Sequence, residues 1–403
     1  GSGSAGNFVN LGFEPQWVMF KNANRAESWH IWDTMRGIVT DGTDARLLAN
    51  TSGAEANNAD VLDLNPTGFT IEQGNSFPYN YSGDTYIYIA IRRPTAVPTS
   101  ATEVFGLNEY TGNNTAGRLI TSSGTGVVDA AFINSSGSVS RMASRLTGIP
   151  FLTRDGTSAE INSNTRFENF DDMNGFFVGS NSQVNSSSYT YLAAMWTRAP
   201  NYFDVVAYTG NSTAGRTVSH NLNVAPEMMW VRPRSFADHW NVYHTANGNT
   251  KYMRLNTTDT PFTNTNIWNS TTPDASSFTL GSDFGVNGSG YPYIAYLFAT
   301  LAGVSKVGSY TGNGSSQTID CGFTSGARYV LVKRTNTTGD WVEFNSEYGI
   351  VAGNEKAWRV NVGGDTGTSL DLIDPNSSGF IINQEASYNL NVNNSNYIFY
   401  AIA

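Results

Sequence analysis

Apolar positions along the chain recur with period two in short runs, and turn-rich polar segments separate them. Trp17-Val18-Met19-Phe20-Lys21 and Tyr329-Val330-Leu331-Val332-Lys333 read as strands of antiparallel sheets buried on one face, with two such sheets covering each other. No window shows the helical spacing of good helix formers that a long helix needs.

The pattern also repeats. Tyr88-Ile89-Ala90-Ile91, Tyr191-Leu192-Ala193-Ala194, Tyr293-Ile294-Ala295-Tyr296 and Phe399-Tyr400-Ala401-Ile402 read as closing strands, their alanines 103, 102 and 106 positions apart. Upstream of each lies a turn followed by Phe: Gly68-Phe69, Gly175-Phe176, Ser277-Phe278 and Gly379-Phe380, spaced 107, 102 and 102. The phrase Tyr-Thr-Gly-Asn begins at Tyr110, Tyr208 and Tyr310. Because Gly and Asn tolerate positive φ, it reads as the tight turn of an opening β-hairpin. Trp29-His30-Ile31-Trp32, Trp240-Asn241-Val242-Tyr243 and Trp341-Val342-Glu343-Phe344 form a further shared strand, and copy two carries Ser138-Val139-Ser140-Arg141 there instead.

These landmarks predict an all-β chain with very little helix: four tandem β-sandwich domains at 1–94, 101–199, 204–301 and 306–403. Pro-containing stretches at 92–100 and 198–203 read as linkers. Phe8-Val9-Asn10-Leu11-Gly12-Phe13 aligns with Thr318-Ile319-Asp320-Cys321-Gly322-Phe323. The first copy is therefore read as lacking its opening strand and the chain as a fragment of a longer protein, with 1–6 a glycine-rich remnant or a cloning scar.

Composition sharpens this picture. Charged residues are only 14% of the 403, whereas 22 Phe, 20 Tyr and 9 Trp supply too much burial for a disordered chain. A net charge of -10 disfavours nucleic acid and anionic bilayers. The longest apolar runs, 293–299 and 397–403, fall far short of the roughly 20 residues of a membrane span, so no membrane insertion is expected. Cys321 is the single cysteine and cannot form an internal disulfide, which fits a virion component assembled in a reducing cytoplasm and later exposed outside the cell.

Reactive residues do not repeat with the copies. His30, His220, His239 and His244 share no landmark and read as surface or turn residues rather than metal ligands, and Cys321 reads as a small buried hydrophobe. Asp171-Asp172 and the pair Asp371 and Asp374 could form a glycosidase dyad, but they precede the Gly-Phe turn, where acidic residues commonly serve turn formation. No catalytic residue, metal site or cofactor is assigned, and no ligand-binding residue is singled out. Recurrence of Trp29, Trp240 and Trp341 favours a shared core role, while Trp268 and Trp358, in variable loops, suit a specific ligand better.

Tyr310-Thr-Gly-Asn-Gly, Leu11-Gly12-Phe13-Glu14-Pro15, the Val332-Lys333-Arg334 strand before Gly339-Asp340-Trp341, and Tyr293-Ile294-Ala295-Tyr296 resemble the repeat of tail-fibre-like structural proteins of tailed bacteriophages, over essentially the whole chain. The resemblance implies a concanavalin-like jelly roll and a virion role, and it carries over no catalytic residues. The expectation is a non-enzymatic phage structural protein, part of a tail fibre or similar appendage. Its expected partners are other virion proteins or copies of itself in a homo-oligomer, and host-surface glycans. A bacterial surface adhesin or carbohydrate-binding array is the alternative, and a polysaccharide depolymerase the third reading.

Overall fold

The computed structural model of the chain describes every residue except 58, 76, 123, 136, 137, 366, 368, 369 and 386. Among the described residues the helical content is three four-residue α-turns and two 3-10 turns, and the rest of the regular structure is strand.

Each predicted copy is a sandwich of one large and one small antiparallel sheet. In repeat three the large sheet runs Phe203–Thr209, Pro292–Phe298, Met228–Pro233, Asn241–His244, Lys251–Arg254, Phe262–Thr263, and the small sheet pairs Arg216–Ser219 with Ser277–Leu280. Repeat four has the same order, Ser305–Thr311, Asn396–Ile402, Tyr329–Arg334, Trp341–Asn345, Trp358–Arg359, Gly364–Asp365. Repeat two keeps the first five positions of that sheet, with Ser138–Ser144 in the place of the Trp strand. In repeat one the large sheet is Leu47–Leu48, His30–Asp33, Pro15–Asn22, Tyr86–Arg92, so the closing strand lies at an edge.

One expectation is corrected here. The strands flanking Tyr-Thr-Gly-Asn do not form a hairpin: Phe203–Thr209 pairs with the closing strand of the large sheet, and Arg216–Ser219 pairs across the small sheet. The phrase carries the chain from one sheet to the other.

The closing strands of repeats two, three and four are buried on both faces, which accounts for their unbroken apolar runs. In repeat three, Tyr293, Ala295 and Leu297 point into the sandwich with Met229, Val231, Trp268 and Phe278. The alternate residues Ile294, Tyr296 and Phe298 point outward into a second core shared with Phe132 and Trp196 of repeat two and Leu331 and Tyr400 of repeat four. Ring contacts cross the repeat boundaries: Phe132 with Trp230 at 5.9 Å, Phe298 with Tyr400 at 4.9 Å, and Trp196 with Tyr329 at 5.6 Å. Repeats two, three and four are thus packed sheet to sheet around common apolar contents rather than strung as beads.

The stretches read as linkers are structural joints. Arg198 is buried and grips Glu14 through both carboxylate oxygens at 2.7 Å while its Nε reaches Asp204 at 2.6 Å, tying together repeats one, two and three. Burial disfavours the guanidinium charge, but the two carboxylates overcome it and hold the pKa well above its ordinary value.

Candidate functional site

Six residues before the first tyrosine of every closing strand stands an asparagine: Asn80 and Tyr86, Asn185 and Tyr191, Asn287 and Tyr293, Asn391 and Tyr397. All four asparagines are fully buried. In repeat three, Asn287 donates to the carbonyls of Thr213 (3.0 Å) and Gly281 (2.8 Å) and accepts from the N–H of Asn211 (2.9 Å) and from Arg216 (3.3 Å). Asn185 repeats this set with Thr115, Gly179, Asn113 and Arg118. The amide's donors and acceptor are all engaged, as burial demands. In repeat one, Asn80 accepts from the N–H of Ser2 at 2.8 Å, so Gly1, Ser2 and Gly3 take the place of Gly112, Asn113 and Asn114.

This hub explains the repeated phrase. Its glycine passes so close to a facing backbone carbonyl that no Cβ fits: Gly112 against Ser186, Gly210 against Gly288, Gly312 against Val392. The closing tyrosine hydroxyl accepts the N–H of Ser186, Gly288 or Val392 at 2.7 to 3.0 Å. The most strongly repeated polar residues therefore lock a sheet-to-sheet crossing.

A second repeated device joins neighbouring repeats. Trp240 donates its indole N–H to the carbonyl of Thr153 in repeat two, and Trp341 donates to that of Arg254 in repeat three, each at 2.9 Å and across 87 positions. A cation lies over each ring: Arg232 at 5.3 Å from Trp240 and Lys333 at 6.0 Å from Trp341. Arg232 also donates to the carbonyls of Thr153 and Gly156, and Lys333 to that of Thr258. Repeat two closes the circuit onto repeat four. Arg154 meets Glu343 at 2.6 Å, Asn134 meets it at 2.8 Å, and Gly363, at a positive φ, packs against Asp155 and Val139.

The residues singled out from the sequence fall as follows. Trp240 and Trp341 are fully buried at these joints, and Trp29 is half-buried. Trp268 and Trp358, expected in ligand loops, are fully buried and closed to any ligand; Trp268 packs in the repeat-three sandwich and Trp358 pairs in a strand beside Glu343. Cys321 is buried immediately after a strand, and burial pushes its thiol up to about 12. Asp172 accepts the N–H of Asn174 in a turn, and Asp371 and Asp374 are both held by the amide of Asn383 at 2.7 and 2.9 Å. Among the described residues no group of three or more His, Cys, Asp and Glu is placed to hold a metal, and no helix is long and apolar enough to cross a membrane.

The histidines divide. His239 lies in a loop beside Asn256, whereas His220, directly after a strand, is buried with its ring 3.2 Å from the carbonyl of Asp274, contrary to the surface or turn reading. His30 and His244 are buried too, within the strands that carry the Trp landmark: His30 on the covered face of its sheet and His244 in a strand covered on both faces. Burial lowers both imidazoles to about 4. Their neutral forms support the fold fully above the unfolded value near 6.5, and that support is lost as pH falls towards 4. His244→Asn, which installs the residue found at the same place in repeat four (Asn345), is expected to remove up to about 3 kcal/mol of the acid-induced loss of stability. Denaturant titrations of both proteins at pH 7 and pH 4.5 check this.

Two clefts lie at repeat boundaries. An open groove of about 790 Å³ between repeats three and four is lined by Lys251, Thr260, Tyr310, Thr335, Asn336 and Asn396, with Tyr310 stacked on Tyr397 at 4.8 Å. A smaller one of about 300 Å³ where repeats one, two and three meet is rich in opposed charges, among them Arg36, Asp41, Glu55, Arg145 and Arg234.

The fold and its joints define a class: an all-β protein of tandem sandwiches whose buried polar groups hold repeats in register. The chain belongs to the family described as "Domain of unknown function (DUF7483)", whose sequence model matches residues 1–94 and 100–403. No curated protein and no solved structure matches the chain.

Proposed function

We propose that this chain is a non-enzymatic, shape-holding component of a bacteriophage virion, part of a tail fibre or similar appendage, that binds host-surface glycan. The observation carrying this reading is where the repeated polar groups go. The asparagine hubs are satisfied within the sheet crossing, and the Arg/Lys-Trp clasps are satisfied across repeat boundaries. Repetition therefore preserves shape, as it would in a structural part of a virion.

The groove between repeats three and four is the glycan site in this reading. Hydroxyl and amide groups around the half-buried ring of Tyr310 offer hydrogen bonds to sugar hydroxyls and an apolar surface to a pyranose face. Titration of the chain with capsule or lipopolysaccharide from candidate hosts should give saturable binding that Asn336→Ala with Lys251→Ala weakens at least tenfold. Release of reducing sugar during the titration, or the absence of binding to any host polysaccharide, would contradict it.

A further inference from the structure

The circuit joining repeats two, three and four has a counterpart in repeat one that stands open. On the outer face of the large sheet, the positions of Ala194, Tyr296 and Tyr400 are taken by Ile89, and those of Trp196, Phe298 and Ile402 by Ile91. The former residues are at most 3% exposed, whereas Ile87, Ile89 and Ile91 are 48, 53 and 48% exposed. Trp17, Met19 and Ile31 continue the same face and are likewise incompletely covered. A contiguous apolar face of this kind is uncommon on a surface without a partner.

Repeat one also carries both halves of the clasp. Lys21 and Trp29 hold the places of Lys333 and Trp341. Lys21 donates to the carbonyl of Glu27 at 2.9 Å as Lys333 does to that of Gly339, and the N–H of Trp29 bonds Asn50 at 3.0 Å as that of Trp341 bonds Asn361 at 2.8 Å. On the receiving side, the carbonyl of Leu48 corresponds to those of Thr153 and Arg254, at the end of the short strand beside the Trp strand. The exposed residues Thr51 and Ser52 follow it, where Thr257 and Thr258 follow Arg254.

A surface bearing donor and acceptor at separate places joins head to tail, and such contacts form a ring when their rotation closes. Within this chain it closes at three, since repeat three clasps two, four clasps three, and two meets four. We infer that repeat one is a homotypic assembly module: three copies of the chain join through it in a cyclic trimer, each copy's Lys21 and Trp29 seated on the next copy's Leu48 edge around a core of Ile87, Ile89 and Ile91. This inference does not depend on the glycan reading, and its test uses no ligand.

Sedimentation equilibrium of the full chain from 1 to 100 µM is expected to show a species of three times the 43.7 kDa chain mass. Ile89→Glu should leave the circular dichroism spectrum unchanged and give monomers throughout, because the side chain it replaces is half in solvent. Trp29→Ala should raise the dissociation constant at least tenfold, and Met173→Glu, at an exposed position outside repeat one, should leave the trimer intact. A monomer or dimer at 100 µM, or a trimer unmoved by Ile89→Glu, overturns the inference. An edge-to-edge pair through Tyr86–Arg92 would register as the dimer.

Discussion

Glu343→Ala is expected to destabilise the chain by about 3–5 kcal/mol, the cost of leaving a buried charge without its counter-ion. Arg154 and Glu343 are both essentially inaccessible, and they come from different repeats. Glu343 also accepts from Asn134 at 2.8 Å and from the Tyr329 hydroxyl at 3.1 Å, while Arg154 holds Ser140 and Asn134 at 2.7 Å. Removing the carboxylate leaves a guanidinium inside an apolar core with only neutral acceptors. Repeat three places Val242 and Leu255 where Glu343 and Arg154 stand. Glu343→Val combined with Arg154→Leu should therefore recover most of the loss. Guanidinium-induced unfolding of the wild type, both single variants and the double variant measures the coupling directly.

Trp240→Ala is expected to cost a similar 3–5 kcal/mol, through the cavity left by a fully buried indole. The variant also loses the hydrogen bond to Thr153 and the ring beneath Arg232. Since those partners lie on both sides of a repeat boundary, hydrogen exchange should quicken at Leu152–Thr153 of repeat two as well as at Asn241–His244 of repeat three. Trp240→Phe keeps the packing and loses the N–H, so its smaller loss separates the two contributions.

Much of this architecture was legible in the sequence, for reasons the structure makes plain. Closing strands and Gly-Phe turns recur because each supplies a strand to one of the two facing sheets of its sandwich, where the pairing register limits changes of length. The asparagine hub is equally present in the sequence, at a constant six residues before the closing tyrosine, but asparagines are so common here that the spacing does not stand out from chance. The run Tyr293-Ile294-Ala295-Tyr296-Leu297-Phe298 reads as a strand too short to span a membrane, yet its apolar residues of both parities require burial on both faces, and that second face is the shared core. Trp268 and Trp358 misled because variability between copies was equated with exposure. Each fills a space that its own repeat creates, from a short helical turn in one case and from a short strand in the other. The hairpin reading failed because a turn phrase cannot say whether the strands it joins pair with each other or lie in opposite sheets. The joints themselves were invisible to a one-copy reading, since Trp240 and Thr153 meet only once two repeats are folded.

The account rests on repeats two, three and four sharing one core. Native-state hydrogen exchange followed by mass spectrometry, with increasing denaturant, tests this most directly. Phe132, Trp230 and Leu331 lie at matching positions on strands of three different repeats. If the three sheets are one cooperative unit, amides of Ala130–Ser135, Met228–Pro233 and Tyr329–Arg334 will merge onto a single opening free energy, and Glu343→Ala will lower all three together. Three separate opening energies, with only repeat four responding to that substitution, would mean independent beads and would contradict the account.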